Sequence, residues 1–345
     1  MSTPEALRKA ARPGPPRPDE KDAADLRGRA RARLLLLGSL VLAPVAAYAV
    51  WRSLSGERPG APSSVNDSAR QSKNDPPARG DASAAGNRLL AEVTEKVLPA
   101  RGLQSRIRLG ASVVKLVEKG IIDRQKFEAL YEGRGGLPRE LERILVAPSA
   151  NPILLTRGNA GAYVNLLWPL GLSNHMSTND QSPLNGKSLS AFASTGGWNL
   201  GRAQNGGEYF NRFGIVALRP EQEALVTRIA RNTYRPCCNN STFFQDCNHG
   251  SALLGVLELG ASQGLPESEL YREALAFNSF WFPRNYVETA LYFRVVKKAD
   301  WHDLDPKEIL GFEYSAAGPW AENVHAKLAR MPDVLPQAGS AACSL

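Results

Sequence analysis

The chain has 345 residues, with 42 basic against 34 acidic side chains and a net charge of +8 at neutral pH. Residues 1–33 hold nine bases and five acids, a surplus of +4, and residues 88–330 hold 28 and 24, the other +4. In the longer stretch the two signs are interspersed rather than gathered into a stripe. It therefore lacks the electrostatic footprint of a nucleic-acid groove, and no nucleic-acid partner is expected.

Composition divides the chain before any pattern is sought. Residues 1–33, rich in Pro, Ala and Arg, contain no run of large apolar side chains and are expected to form a disordered basic cytoplasmic tail. Residues 34–51 read LLLLGSLVLAPVAAYAVW, eighteen residues without a charge, near the short limit for a helix that crosses a bilayer. Arg27, Arg29, Arg31 and Arg33 precede this run, against Arg52 and Arg58 after it. That bias predicts a single-pass anchor with its N-terminus in the cytoplasm and the main domain extracytoplasmic. Ala47-Tyr48-Ala49 also fits a signal-peptidase site, so cleavage is the rival reading, and both place the following chain outside the cytoplasm. Residues 52–87, built from Ser, Pro, Gly, Asn and Asp, read as a flexible linker, and 331–345 as a disordered tail in which Cys343 is incidental. Residues 88–330 remain, enough for one core.

Helical spacing dominates that core region. In 103–119, Leu103, Ile107, Val114 and Val117 fall near one face, and Gly120 follows as a C-terminal cap. Asp123 opens a second helix carrying Phe127, Leu130 and Tyr131. The run LVEKGIIDRQKFEAL resembles small helical hairpins of many bacterial proteins, a likeness that implies packing rather than chemistry. Residues 173–214, dense in Ser, Asn and Gly with isolated aromatics such as Phe192, Trp198 and Phe210, predict one long irregular but packed loop. Phe213–Leu218 is the best candidate strand. Pro220 suits the first turn of a helix bearing Val226, Ile229 and Ala230, which should stop before Pro236. Further helices are expected over 249–263, from Pro266 through Trp281, and from Pro283. The expected fold is all-α: a single helical domain with one long irregular loop, behind a transmembrane helix.

The chain has no CxxC, CxxCH, HExxH, GxSxG or GxGxxG. Asn185-Gly186-Lys187-Ser188 looks like the end of a phosphate loop, but Gln181 stands where that motif requires its first glycine. Chemistry is concentrated instead between Cys237 and His249, in the run CCNNSTFFQDCNH. One helix should end before this loop and another begin near Asn248, so the loop is clamped between them. Cys237, Cys238, Cys247 and His249 together supply soft donors suited to Zn or Cu. Cys247 beside a helix N-terminus should ionise readily, and Asp246 could orient the imidazole.

Three readings of the loop stay open. The first is a site that binds a soft metal or cycles redox state. The second is a non-enzymatic interaction module in which Cys238 and Cys247 form a stapling disulfide, as export favours. The third is a thiol hydrolase: Asp246-Cys247 opening an apolar helix resembles the way papain-like thiol hydrolases, including cell-wall peptidases with a D-C-S-G run, display their cysteine. Here Asn248, His249 and Gly250 follow instead of Ser and Gly, and the downstream imidazole at a workable distance is His302. His175-Met176 and His325 rank lower as ligands. The membrane, through residues 34–51, is the one partner the sequence indicates, and a protein partner is left open.

Overall fold

The computed structural model describes residues 79–133, 135–193, 200–331 and 334. The basic tail, the apolar run 34–51 and nearly all of the C-terminal tail lie outside the described residues, as does most of the linker. Within the span read as linker the chain is helical from Arg79. Among the described residues no helix is long and apolar enough to cross a membrane.

The domain is mostly helical. In chain order it runs α1 (Arg79–Val97), β1 (Leu103–Gly110), α2 (Ser112–Glu118), α3 (Arg124–Glu132), α4 (Arg139–Ile144), β2 (Ser149–Leu155), α5 (Ala160–Ser173), α6 (Leu189–Ala193), α7 (Pro220–Asn232), α8 (Asn248–Ser262), α9 (Glu267–Trp281) and α10 (Pro283–Tyr292), followed by short helical turns. The caps anticipated for this region are present. The Asp123 side chain accepts from the Lys126 amide at the start of α3, and Gly120 takes the left-handed backbone that ends α2, with φ of 71°.

The first correction to the all-α expectation is a small antiparallel hairpin of β1 and β2, with Leu103 opposite Leu155 and Gly110 opposite Ser149. Residues 103–110 alternate: Ser105, Ile107 and Leu109 are buried while Gln104, Arg106 and Arg108 face outward. The edge of β1 that β2 does not cover is satisfied by side chains from helices. Glu273 accepts from the Arg106 amide at 2.8 Å and the Ser105 hydroxyl at 2.6 Å. Gln263 accepts from the Arg108 amide at 3.0 Å and donates to the Arg108 carbonyl at 2.8 Å. A two-stranded ribbon is marginal alone, and this edge pairing with the helical body is what supports it.

The second correction concerns Phe213–Leu218, which is not a strand. Phe213 makes one isolated bridge with Asn174. The Val216 amide is taken by the Asn174 side chain at 2.8 Å, so side-chain capping replaces a ladder. The described part of the surrounding loop is packed: Tyr209 and Phe210 are buried, and the Tyr209 hydroxyl donates to the Gly120 carbonyl at 2.9 Å, while Trp198 lies outside the described residues.

At the centre α5 and α8 cross at very short range. A Cβ on Gly171 would lie 1.9 Å from the Ser251 carbonyl oxygen, and one on Gly255 would lie 2.7 Å from that of Leu167. Only glycine permits this approach, and the contact fixes the start of α8, from Gly250 onward, inside the core.

Candidate metal centre

The loop from Thr233 to Cys247 joins α7 to α8 and is closed at its base by buried polar pairs. The Thr242 amide donates to the Thr233 carbonyl at 2.9 Å, their hydroxyls meet at 3.0 Å, and the Phe243 amide returns to the Ala230 carbonyl at 3.0 Å. Inside this ring lies Arg235, 0% exposed. Its guanidinium donates to the Asn240 carbonyl at 2.9 Å, the Phe244 carbonyl at 3.1 Å and the Cys247 sulfur at 3.2 Å, and pairs with the Asp246 carboxylate. The Asp246 carboxylate also accepts from the Asn240 side-chain Nδ2 at 2.7 Å. A buried charge is tolerable only when it is paired and hydrogen-bonded, and here the loop wraps its acceptors around the guanidinium. Gly250 makes the room: a Cβ there would sit 2.4 Å from Arg235 Cζ.

The loop so fixed brings three thiols together. The Sγ atoms of Cys237, Cys238 and Cys247 all lie within 4.8 Å of one another, with Cys237 and Cys247 at 3.6 Å. All three are free, so the Cys238–Cys247 disulfide of the second reading is not formed in this structure. Cys237 is exposed, and the other two are half-buried.

Cys247 is the N-cap of α8, and its sulfur accepts from the Gly250 amide at 3.4 Å. Contacts from the Cys237 and Cys238 thiols hold Cys247 well below the usual thiol range against desolvation, with further help from the Arg235 guanidinium. The opposite shift falls on its partners. Contacts with Cys238 and Cys247, then burial, push the Cys237 thiol up. At Cys238 the Cys237 contact pulls down but is outweighed by the Cys247 contact and burial. Of the three sulfurs, the surroundings therefore favour the thiolate form most at Cys247.

His249 does not join the group. Its ring packs 4.5 Å from that of Phe282 and 6.0 Å from that of Trp281, and its buried Nε2 has no hydrogen-bond partner. Burial lowers its pKa to about 4. Two residues beyond Cys247 on a helix, it leaves from a different face than the sulfur that folds back over the helix end. Asp246 likewise serves Arg235, not the imidazole. His302 is exposed in a short turn, capped by Asp300. His175 contacts the Asn211 carbonyl at 3.2 Å, beside a fully buried Met176. His325 pairs with Glu288 and stacks on Trp320. Among the described residues no imidazole hydrogen-bonds to a cysteine.

Sequence reasoning missed Arg235 and Gly250, the two residues on which the loop depends. The signal was slight: an arginine beside a proline at a helix end, with one acid, Asp246, in the loop that follows. No protein-family model matches the chain, and neither a curated protein nor a solved structure is significantly similar to it.

Proposed function

We propose that this protein binds a thiophilic metal ion, Cu(I) or Zn(II), through Cys237, Cys238 and Cys247, in a domain held outside the cytoplasm by the apolar run 34–51. The observation that carries the reading is the mutual approach of the three sulfurs within 4.8 Å. Metal–sulfur bonds of about 2.3 Å place ligand sulfurs roughly 4 Å apart, so little movement would be needed. The donor set is soft, and Arg235 and the Gly250 amide already support one thiolate, as outer partners of a metal ligand do. With three protein ligands, one position is left for a ligand from outside, and the exposed Cys237 gives a route of entry.

The same geometry favours one other reading, a dithiol that cycles. A thiolate at Cys247, 3.6 Å from the exposed Cys237, is placed to close a disulfide once an oxidant accepts the two electrons.

Three measurements separate the readings. Reduced full-length protein titrated with Zn(II), Cu(I) or Co(II) should bind one equivalent, and Co(II) should give sulfur-to-metal charge-transfer absorption. Cys247→Ser should abolish this, and binding should weaken steeply on acidification as protons compete for the sulfurs. Reduced protein that takes up none of these ions would sink the metal reading, and the appearance of a Cys237–Cys247 disulfide under mild oxidation would then support the second. A reporter fused after residue 330 tests the orientation, which fails if activity is confined to the cytoplasm.

A further inference from the structure

Of the three clustered sulfurs, two are set against each other and one is tied back. Cys237 and Cys247 meet at 3.6 Å, and Cys237 is exposed. Cys238 is anchored: its carbonyl accepts from the Ala317 amide at 3.0 Å. Its thiol lies 3.9 Å from the Asp246 carboxylate and 4.0 Å from the Asn240 carbonyl. A disulfide holds its sulfurs about 2 Å apart, so Cys237 and Cys247 have only about 1.5 Å to close.

Little of the loop depends on that gap staying open. Arg235 donates to the Asn240 and Phe244 carbonyls and pairs with Asp246, and none of these contacts involves sulfur. The Thr233–Thr242 pairing at the base is equally independent, and the Asn239 side chain accepts from the Gly318 amide at 2.8 Å. A Cys237–Cys247 bond would therefore form inside a loop already fixed, and reduction would return both sulfurs to the same scaffold. What the bond removes is two of three metal ligands, because the thiolate is the form that binds a metal. Cys238 alone would remain.

We infer that bound metal and a Cys237–Cys247 disulfide exclude each other, so that the site releases its ion when a small organic disulfide oxidises it. The inference rests on the metal reading above and adds its regulation. In the loaded site both sulfurs are thiolates. The exposed Cys237 attacks one sulfur of RS–SR, forming a mixed disulfide and expelling RS⁻. Cys247 then attacks the Cys237 sulfur, the mixed disulfide breaks, and a second RS⁻ leaves. The two protein thiolates lose two electrons, RS–SR gains them, and the ion departs. Outside the cytoplasm, where the domain is proposed to lie, disulfides form and persist, so such an oxidant belongs to that compartment. Exclusion runs both ways: an ion that binds the reduced form alone also holds the thiols reduced.

Full-length protein loaded with one equivalent of Zn(II) and equilibrated in mixtures of reduced and oxidised glutathione tests this. Free zinc is read with a chromogenic chelator, and the state of each cysteine by alkylation and peptide mass spectrometry. Zinc should appear in step with the Cys237–Cys247 disulfide, one ion per bond, and a phosphine reductant should restore uptake. Oxidised protein should bind Zn(II) at least about 100-fold more weakly, with unchanged circular dichroism. With free Zn(II) buffered well above its dissociation constant, each rise of about 10-fold should shift half-oxidation. The ratio of oxidised glutathione to the square of reduced glutathione needed there should rise by about 10-fold. The inference is overturned if the disulfide forms and zinc stays, if zinc leaves without that bond, or if another pair of cysteines joins. It is equally overturned if no disulfide forms, if the oxidised domain unfolds, or if the midpoint ignores zinc. In all these cases the reduced protein still binds Zn(II) and the metal reading stands, whereas reduced protein that binds none sinks both.

Discussion

Arg235 and Glu258 are both sealed from solvent, both lie against or within α8, and the protein treats them in opposite ways. Arg235 packs over Gly250 in the first turn and donates to four acceptors, among them the Asp246 carboxylate. Glu258 lies eight residues on, about 12 Å along the helix, and neither of its carboxyl oxygens makes a hydrogen bond. Burial pushes the Glu258 pKa well above the usual carboxylate range, with the nearby Asn174 side chain opposing and Glu223 adding to the rise. Burial alone therefore does not decide whether a group stays charged. A charge survives in the interior where the chain has placed partners for it in advance, and elsewhere the group holds its proton.

Removing the partnered charge should have the largest effect. Arg235→Met would leave the Asp246 carboxylate, two loop carbonyls and the Cys247 sulfur without their common donor. Breaking a buried pair from one side typically costs about 3–5 kcal/mol, and a loss of that size is expected in chemical denaturation. Metal affinity should fall as well, because the Cys247 thiolate loses its nearest positive charge. A folded variant within about 1 kcal/mol of the natural chain would show that the loop does not depend on the guanidinium.

A gentler change probes the same contact sterically. Gly250→Ala introduces a Cβ 2.4 Å from Arg235 Cζ, so the guanidinium must shift off its acceptors. Overpacking of this kind costs about 1–3 kcal/mol. The variant should also shift the absorption spectrum of bound Co(II), since Cys247 is held through both Arg235 and the Gly250 amide. An unchanged melting temperature and spectrum would mean that the loop absorbs the methyl freely.

The unpartnered carboxyl gives the opposite sign. A group whose folded-state pKa is raised holds its proton more tightly in the folded chain than in the unfolded one. Its stabilising contribution is complete below the unfolded value near 4.5 and is lost as pH rises towards and through the folded value. Glu258→Gln cannot ionise and escapes that loss. Its stability relative to the natural chain should therefore climb with pH above about 4.5, by at most about 1.4 kcal/mol per unit, and level off once the folded carboxyl ionises. Denaturation series from pH 4.5 to pH 8 would reveal this, and a difference independent of pH would show that Glu258 is not perturbed in the folded state.

What was legible in the sequence follows from the same contrast. Helices α7, α8, α9 and α10 were readable because prolines, caps and apolar spacing are local signals that agreed with one another. The clustering of the three cysteines was readable because both helices flanking the loop were. The hairpin was not. Ile107 and Leu109 alternate with Arg106 and Arg108, yet Leu103, Ile107, Val114 and Val117 also fit a helical face, and so short a window does not separate the two periods. The decision is made by Glu273 and Gln263, more than 150 residues away, whose side chains satisfy the strand edge. The fourth donor was misread for a similar reason. His249 is close to Cys247 in sequence, but its direction is set by how α8 packs on Phe282 and Trp281. Arg235 escaped notice because its significance lies in acceptors contributed by the whole loop.

Gln263 supplies the smallest and sharpest test of the comparison. Its side chain makes two hydrogen bonds to the Arg108 backbone, as many as Glu273 makes to its own neighbours on the same strand edge. The difference is solvent. Gln263 and Arg108 are exposed, whereas Glu273 and Ser105 are buried. If partners matter chiefly where water cannot replace them, Gln263→Ala should cost only about 0.5–1 kcal/mol, since water takes over at the Arg108 amide and carbonyl. Glu273→Ala, which strands the buried Ser105 hydroxyl and the Arg106 amide, should cost about 1–3 kcal/mol. Amide exchange along β1 reads the two sites separately: Arg108 should lose protection in the first variant and Arg106 in the second. Equal losses of stability would break the distinction between exposed and buried partners on which the contrast of Arg235 with Glu258 rests.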